Sequence, residues 1–234
     1  MTQIRHRYVV AGNKPWNRRV FEQTIRHLPG EWHFVEAAAD LSPALLEQLD
    51  PGYVFFLHWS HKVPDEIIRR WECVCFHMTD VPYGRGGSPL QNLIAAGHRA
   101  TKLTALRMAS EMDAGPVYFK EPLSLEGNAE EIYIRATHLA AGMIARLIAE
   151  TPTPVAQTGT PVPFKRRKPH ESEIPADVAS LEALHDFIRM LDAQGYPRAF
   201  LRHGSLRFEF SRIALYEGRL VADVTITAPE ESKA

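Results

Sequence analysis

CVCFHMTDVPYGRGGSP, residues 73–89, is the stretch on which the reading of the fold turns. Residues 73–76 form a short apolar run suited to a buried strand, and His77 stands at its C-terminal edge. A loop follows that holds Gly84, Gly86 and Gly87, one arginine and two prolines. In an open α/β sheet, ligands bind beyond the carboxyl ends of the strands, so a histidine there, followed by a rigid glycine-rich loop, marks a candidate site.

Upstream, the pattern alternates. Residues 7–11 read as a strand, and Pro15 suits the first turn of a helix whose apolar stripe is Val20, Phe21, Ile25 and Leu28. Residues 32–37 read as a second strand. Ser42 precedes Pro43 and Leu45, Leu46 and Leu49, which predicts a capped helix. Residues 53–57 are wholly apolar, as expected at the centre of a parallel sheet. A helix over 64–71 leads back into residues 73–76, and Pro89 opens another. Strand and helix in alternation with short links predict a Rossmann-like, doubly wound α/β sheet.

Downstream, 101–108 and 117–122 read as strands, and Asn128 can cap a long helix over 129–150. Residues 151–160 form a Pro/Thr-rich connector and 164–173 a charged loop. A helix over 181–191 and strands over 199–202, 206–216 and 219–227 form a small C-terminal α+β unit. The expected division is residues 1–160 and 161–234.

The chain has 234 residues, 45% of them hydrophobic and 24% charged, with net charge −1. That is ordinary for a soluble globular protein and shows no whole-chain footprint for a nucleic-acid backbone. The two cysteines, Cys73 and Cys75, lie on one strand and imply no disulfide framework. The start, MTQIRHRYVVAG, reads as a strand rather than a signal peptide, and no apolar run suggests a membrane span. The expected setting is the cytoplasm, with no membrane partner.

His77 and Asp113 are the pair with chemical potential. Asp113 lies in a loop after a later strand, and neighbouring strands deliver such loops to one crevice. A carboxylate beside an imidazole fixes its tautomer and raises its basicity, as a general base requires. With eleven histidines in the chain, a structural histidine closing a strand is the plain alternative.

His77, Pro82, Arg85, Gly86 and Pro89, with Thr79 where serine is usual, resemble the signature of the formyltetrahydrofolate-dependent formyltransferases. Met108 and the run from Met112 to Gly115 are similar to the second motif of that family, and residues 164–174, 184–189 and 196–200 follow in order. The resemblance covers about residues 53–202. It implies the formyltransferase fold, N10-formyltetrahydrofolate as formyl donor, and chemistry that needs no metal. It implies His77 as the group that takes the amine proton or stabilises the tetrahedral intermediate, Asp113 as its orienting partner, and the donor's pterin along Leu57, His58, Trp59, Ser60, Lys62 and Val63, with Met112 bordering it. The family's catalytic asparagine falls on Cys75. A weak thiol donor there leaves three options open: a donor supplied from elsewhere, a covalent role for Cys75, or a folate- or nucleotide-binding module without turnover. A hydrolase of formyl-folate is a further option.

Lys14, Trp16, Asn17 and residues 76–94 resemble a sugar-formyltransferase subgroup. This implies a nucleotide-linked 4-amino-4,6-dideoxy sugar as partner, with Tyr83, Arg85, Gly86, Lys14, Trp16 and Asn17 on the substrate. An enzyme acting on methionyl-tRNA, another branch of the family, is the alternative. The near-neutral charge and short C-terminal unit set the expectation of no nucleic acid, and Lys165–Lys168 reads first as a solvated face. A homodimer through an edge strand of the C-terminal unit is a further expectation.

Overall fold

The structure, a computed structural model, describes residues 6–228. Residues 1–5, with the start of the stretch read against a signal peptide, and residues 229–234 lie outside the described residues. Strand β1 (Arg7–Ala11) is followed by helix α1 (Pro15–Gln23), β2 (Glu31–Val35), α2 (Pro43–Leu49), β3 (Tyr53–Phe56), α3 (Asp65–Arg70) and β4 (Cys73–His77). Then come β5 (Tyr83–Gly86), α4 (Pro89–Ala95), β6 (Ala100–Arg107), β7 (Val117–Ser124), α5 (Ala129–Glu150) and β8 (Val162–Phe164). The chain closes with α6 (Leu181–Arg189), β9 (Phe200–His203), β10 (Leu206–Tyr216) and β11 (Arg219–Thr227). The caps act as the side chains predict. Ser42 Oγ accepts from the Leu45 amide, and Asn128 and Glu131 exchange side-chain and backbone hydrogen bonds at the start of α5.

The contacts divide the chain into two units. The first runs to Gly86 and takes in Thr101–Leu123 and Tyr133–Phe164. The second holds Gly87–Ala100, Ser124–Ile132 and the chain from Lys165.

The first unit is built on a six-stranded sheet of order β2-β1-β3-β4-β6-β7. Strands β2, β1, β3 and β4 pair in parallel. Because β2 and β3 flank β1 on opposite sides, the chain reverses direction across the sheet between β1 and β3. A crevice opens at such a switch point, outside the carboxyl ends of the strands. The centre of the sheet is dry: Val9, Val10, Ala11, Val54, Phe55, Phe56 and Val74 are buried. Burying a side chain of this size contributes about 1.5–3 kcal/mol. Leu46 of α2 and Ile67 of α3 close one core cluster over Val9, Val54, Phe56 and Cys73.

Three features depart from the sequence reading. Strand β6 runs antiparallel to β4, with Val74 opposite Arg107 and His77 opposite Thr104, so the sheet is mixed at that side. The glycine loop contains a strand, β5, which pairs in parallel with β8, a short segment between the expected connector and the expected charged loop to which the sequence pattern assigns no strand. Glycine permits this: Gly86 has φ +109°, and a Cβ there would lie 2.5 Å from the Phe164 carbonyl oxygen. Helix α5 is long and apolar enough to cross a membrane by length and composition, contrary to expectation, but half of its most apolar window is buried within the protein. Ile132, Ala136, Ala140, Met143, Ile144 and Leu147 form its core face.

The second unit holds α4, α6 and the antiparallel sheet β11-β10-β9. Helix α6 packs on β10, and Gln91 of α4 donates to the Met190 carbonyl at 3.0 Å.

Candidate active site

His77 ends β4 and is 9% exposed, with Asp113 at 13%. The His77 Nε2 lies 2.8 Å from the Gly84 carbonyl oxygen. A carbonyl only accepts, so Nε2 carries the ring proton, and Nδ1 faces Asp113 Oδ2 at 3.5 Å. The same carboxylate oxygen accepts from the Gly86 amide at 2.9 Å. Thus the short strand β5 holds the histidine with one residue and the carboxylate with another. Asp113 itself sits at φ +54°, a left-handed conformation that aspartate tolerates better than bulkier residues. Two residues on, Gly115 passes so close to the Arg107 carbonyl that a Cβ would lie 1.8 Å from its oxygen. The sequence-predicted pair therefore meets, in a turn whose shape depends on a glycine.

Cys75 lies one turn of the pleat before His77. Burial first, and the Asp113 carboxylate second, push its thiol up, so it stays protonated at neutral pH. Tyr83 is half-buried and meets the Phe164 ring edge-on at 5.3 Å. Arg85, expected to face a ligand, turns inward: its Nε and Nη2 donate to Gln157 Oε1 at 3.0 and 2.9 Å, and Nη1 reaches Glu111 at 3.5 Å. Gly86 offers its amide to Asp113 instead.

A second cluster occupies the carboxyl ends of β1 and β3. Leu57 and Val63 are buried in the core, Ser60 and Lys62 are exposed, and His58 has φ +48°. Trp16 is 3% exposed and stacks on Tyr133 at 5.8 Å, while His58 meets Tyr133 edge-on at 4.2 Å. Burial, then the Lys14 ammonium, push the His58 imidazole down to about 3, and burial lowers Lys14 as well. Asn17 is wholly buried, with its side-chain amide on Thr137 Oγ1 and on the Lys14 backbone. Asn13 Nδ2 donates to Ser60 Oγ at 3.1 Å. Three buried polar atoms here have no partner: Asn13 Oδ1, Trp16 Nε1 and Trp59 Nε1. Met112 stands apart in a different loop, 68% exposed. Sequence reasoning missed Gln157, Asn13 and Tyr133. Only Asn13 carried a signal, since it lies in the loop directly after β1.

The chain is 40% identical to a methionyl-tRNA formyltransferase from Clostridium thermocellum, covering 95% of this chain and 99% of that one, with a TM-score of 0.90. The chain belongs to the formyltransferase family. The family model of the methionyl-tRNA formyltransferase C-terminal domain matches residues 169–227. A methionyl-tRNA formyltransferase of Rickettsia prowazekii is 26% identical over 129 residues, 53% of this chain and 43% of that protein. The match thus spans less than half the length of that relative. A 4-N formyltransferase from Francisella tularensis shares the fold at 13% identity and a TM-score of 0.66, covering 93% and 96% of the two chains.

These likenesses overturn two expectations from the sequence: a nucleotide-linked amino sugar as partner, and no nucleic acid. The reason is physical. The resemblance ties His77, Asp113 and the glycines around them to the transferred group, a feature expected of every branch of the family, so they do not distinguish what carries the amine. Two of the residues that pointed to a sugar, Trp16 and Asn17, are buried rather than on the surface.

Proposed function

We propose that this formyltransferase moves a formyl group from N10-formyltetrahydrofolate to the amino group of methionyl-tRNA, in the cytoplasm. The observation that carries the chemistry is the His77–Asp113 pair, held at 3.5 Å by two backbone groups of β5. The choice of amine rests on the likeness to methionyl-tRNA formyltransferases along nearly the whole chain.

The amine nitrogen gains a bond to the formyl carbon and must lose a proton. With Nε2–H fixed on Gly84, the His77 Nδ1 is the position that takes that proton, and Asp113 beside it stabilises the resulting imidazolium. Because both partners are held before any substrate binds, the pair needs no reorganisation at the moment of transfer. Cys75, neutral and beside the pair, offers at most a weak S–H donor.

N10-formyltetrahydrofolate supplies the formyl group when bound. Leu57, His58, Trp59, Ser60, Lys62 and Val63 would hold it, with Met112 at the border. Leu57 and Val63 would contribute main chain, because their side chains belong to the core. The unpartnered Asn13 Oδ1, Trp16 Nε1 and Trp59 Nε1 fit a ligand that both donates and accepts hydrogen bonds, as a pterin does. For the RNA, Lys165, Arg166 and Lys168 in the second unit are exposed cations.

The test is to incubate purified protein with N10-formyltetrahydrofolate and methionyl-tRNA and to follow formyl-methionine by mass after deacylation. Formylated product, with tRNA binding that weakens steeply as salt rises, is the expected result. No formylated product at stoichiometric enzyme would overturn the reading.

A further inference from the structure

Gln157 lies in the Pro/Thr-rich connector after α5, where the sequence carries no catalytic pattern. Its side-chain amide is saturated. Oε1 accepts from Arg85 Nε at 3.0 Å and Nη2 at 2.9 Å, and Nε2 donates to the Asp113 and Gly115 carbonyl oxygens, each at 2.8 Å. The orientation of the amide is forced by its neighbours, since a guanidinium only donates and a carbonyl only accepts. The connector is itself held in place: Val155 and Val117 exchange backbone hydrogen bonds at 2.7 and 2.8 Å, and β8 pairs with β5 a few residues later.

Two rings of hydrogen bonds result. The inner one runs from His77 to Gly84, along β5 to Gly86, to the Asp113 carboxylate and back to His77. The outer one runs from Arg85, the residue of β5 between those two glycines, through Gln157 to the backbone of Asp113 and Gly115. The inner ring holds Asp113 only through its carboxylate, and Asp113 occupies the sparsely populated left-handed region, which must be held by its surroundings. Gln157 supplies that restraint from outside the ring.

We propose that Gln157 is a positioning residue for formyl transfer. It locks the Asp113–Gly115 turn to Arg85 of β5, and so sets the distance between the Asp113 carboxylate and His77. This rests on the proposed formyl transfer, but its structural half is independent of turnover. The bond from the Gly86 amide to Asp113 Oδ2, at 2.9 Å, is a reporter inside the inner ring.

Gln157→Leu keeps the volume and removes all four hydrogen bonds. Hydrogen exchange at the Gly86 amide is expected to speed up tenfold or more, while the amides of β1 and β3 are unchanged. In the transfer assay, kcat is expected to fall at least tenfold with KM for N10-formyltetrahydrofolate within twofold, and the acid limb of the kcat–pH profile is expected to move. Arg85→Lys, which keeps one donor toward Gln157, is expected to show smaller changes in the same directions, and it decides the matter if Gln157→Leu does not fold. Unchanged Gly86 exchange together with kcat within twofold of wild type overturns the proposal. If the wild-type protein formylates no amine, the proposed activity fails, and Gly86 exchange still decides the clamp.

Discussion

Two loop clusters lie at the carboxyl ends of parallel strands in the first unit, and they are finished differently. Beyond β4, the polar groups are matched within the protein: His77 to Gly84, Asp113 to Gly86, Gln157 to three partners. Beyond β1 and β3, aromatic rings crowd together and three buried polar atoms have no partner. An unmatched buried donor or acceptor costs about 1–3 kcal/mol, so it persists where something else compensates it. Residues that move protons need fixed geometry and gain from internal bonds. Residues that hold a ligand keep their bonding capacity for it. The contrast is the one that the proposed roles, proton transfer beyond β4 and donor binding beyond β1 and β3, would require.

Exchanging residues between the two roles breaks that contrast most sharply. His77→Asn and Asp113→Asn are each expected to lower the rate of formyl transfer by a factor on the order of 10²–10⁴, the range typical of a general acid–base group. Asparagine suits the left-handed backbone at Asp113, so the second variant should keep its fold. His58→Asn is expected to act mainly on KM for the folate donor. A loss of kcat from the His58 variant equal to that from His77 would place chemistry in the aromatic cluster and end the distinction. Single-turnover rates with methionyl-tRNA measure both.

The parts of this division visible in the sequence were those written in local pattern. The apolar runs of β1, β3 and β4 and the caps Ser42 and Asn128 follow from side-chain period and hydrogen-bonding habit. The His77–Asp113 meeting followed from strand topology. Strand β5 was hidden because Tyr-Gly-Arg-Gly has no alternation, and its pairing with β8 depends on glycines that let two backbones approach. Gln157 was hidden because its partners lie 42 to 72 residues away. Arg85 read as a ligand-binding residue because only the structure shows that Gln157 already occupies its guanidinium. The nature of the amine was out of reach for a different reason: the motifs around His77 and Asp113 resemble those of the whole family, whose branches act on different amines.

A smaller effect concerns stability, and it sharpens the binding side of the comparison. His58 is pushed down to about 3 by burial and by Lys14, whereas histidine in an unfolded chain titrates near pH 6.5. Between those values the unfolded state binds the extra proton and the folded state does not, so stability falls as pH drops through that window. His185 in the second unit is lowered by burial too and acts in the same direction. The difference between wild type and His58→Asn isolates the first site. Melting temperatures from pH 7 to pH 4.5 are expected to fall less in the variant, whose asparagine also suits the positive φ. Parallel curves for the two proteins would show that His58 is charged in the folded state.

The smallest expected effect belongs to Cys75, the residue that the sequence resemblance sets against the family's asparagine. If the thiol were a nucleophile, its removal would cost as much as the loss of His77. Its surroundings argue the reverse. A thiolate needs an electropositive setting, and here burial and a carboxylate both favour the protonated form. A neutral S–H is also a weak donor, so little transition-state stabilisation depends on it. Cys75→Ala is therefore expected to keep kcat within about tenfold of wild type, below the 10²–10³ that removal of a strong oxyanion donor costs. Iodoacetamide at pH 8 is expected to leave Cys75 unmodified on the timescale of the assay. A hundredfold loss of kcat in the alanine variant, or rapid alkylation that donor binding blocks, would assign the thiol to the reaction, and the set of groups that move with His77 would then include β4 itself.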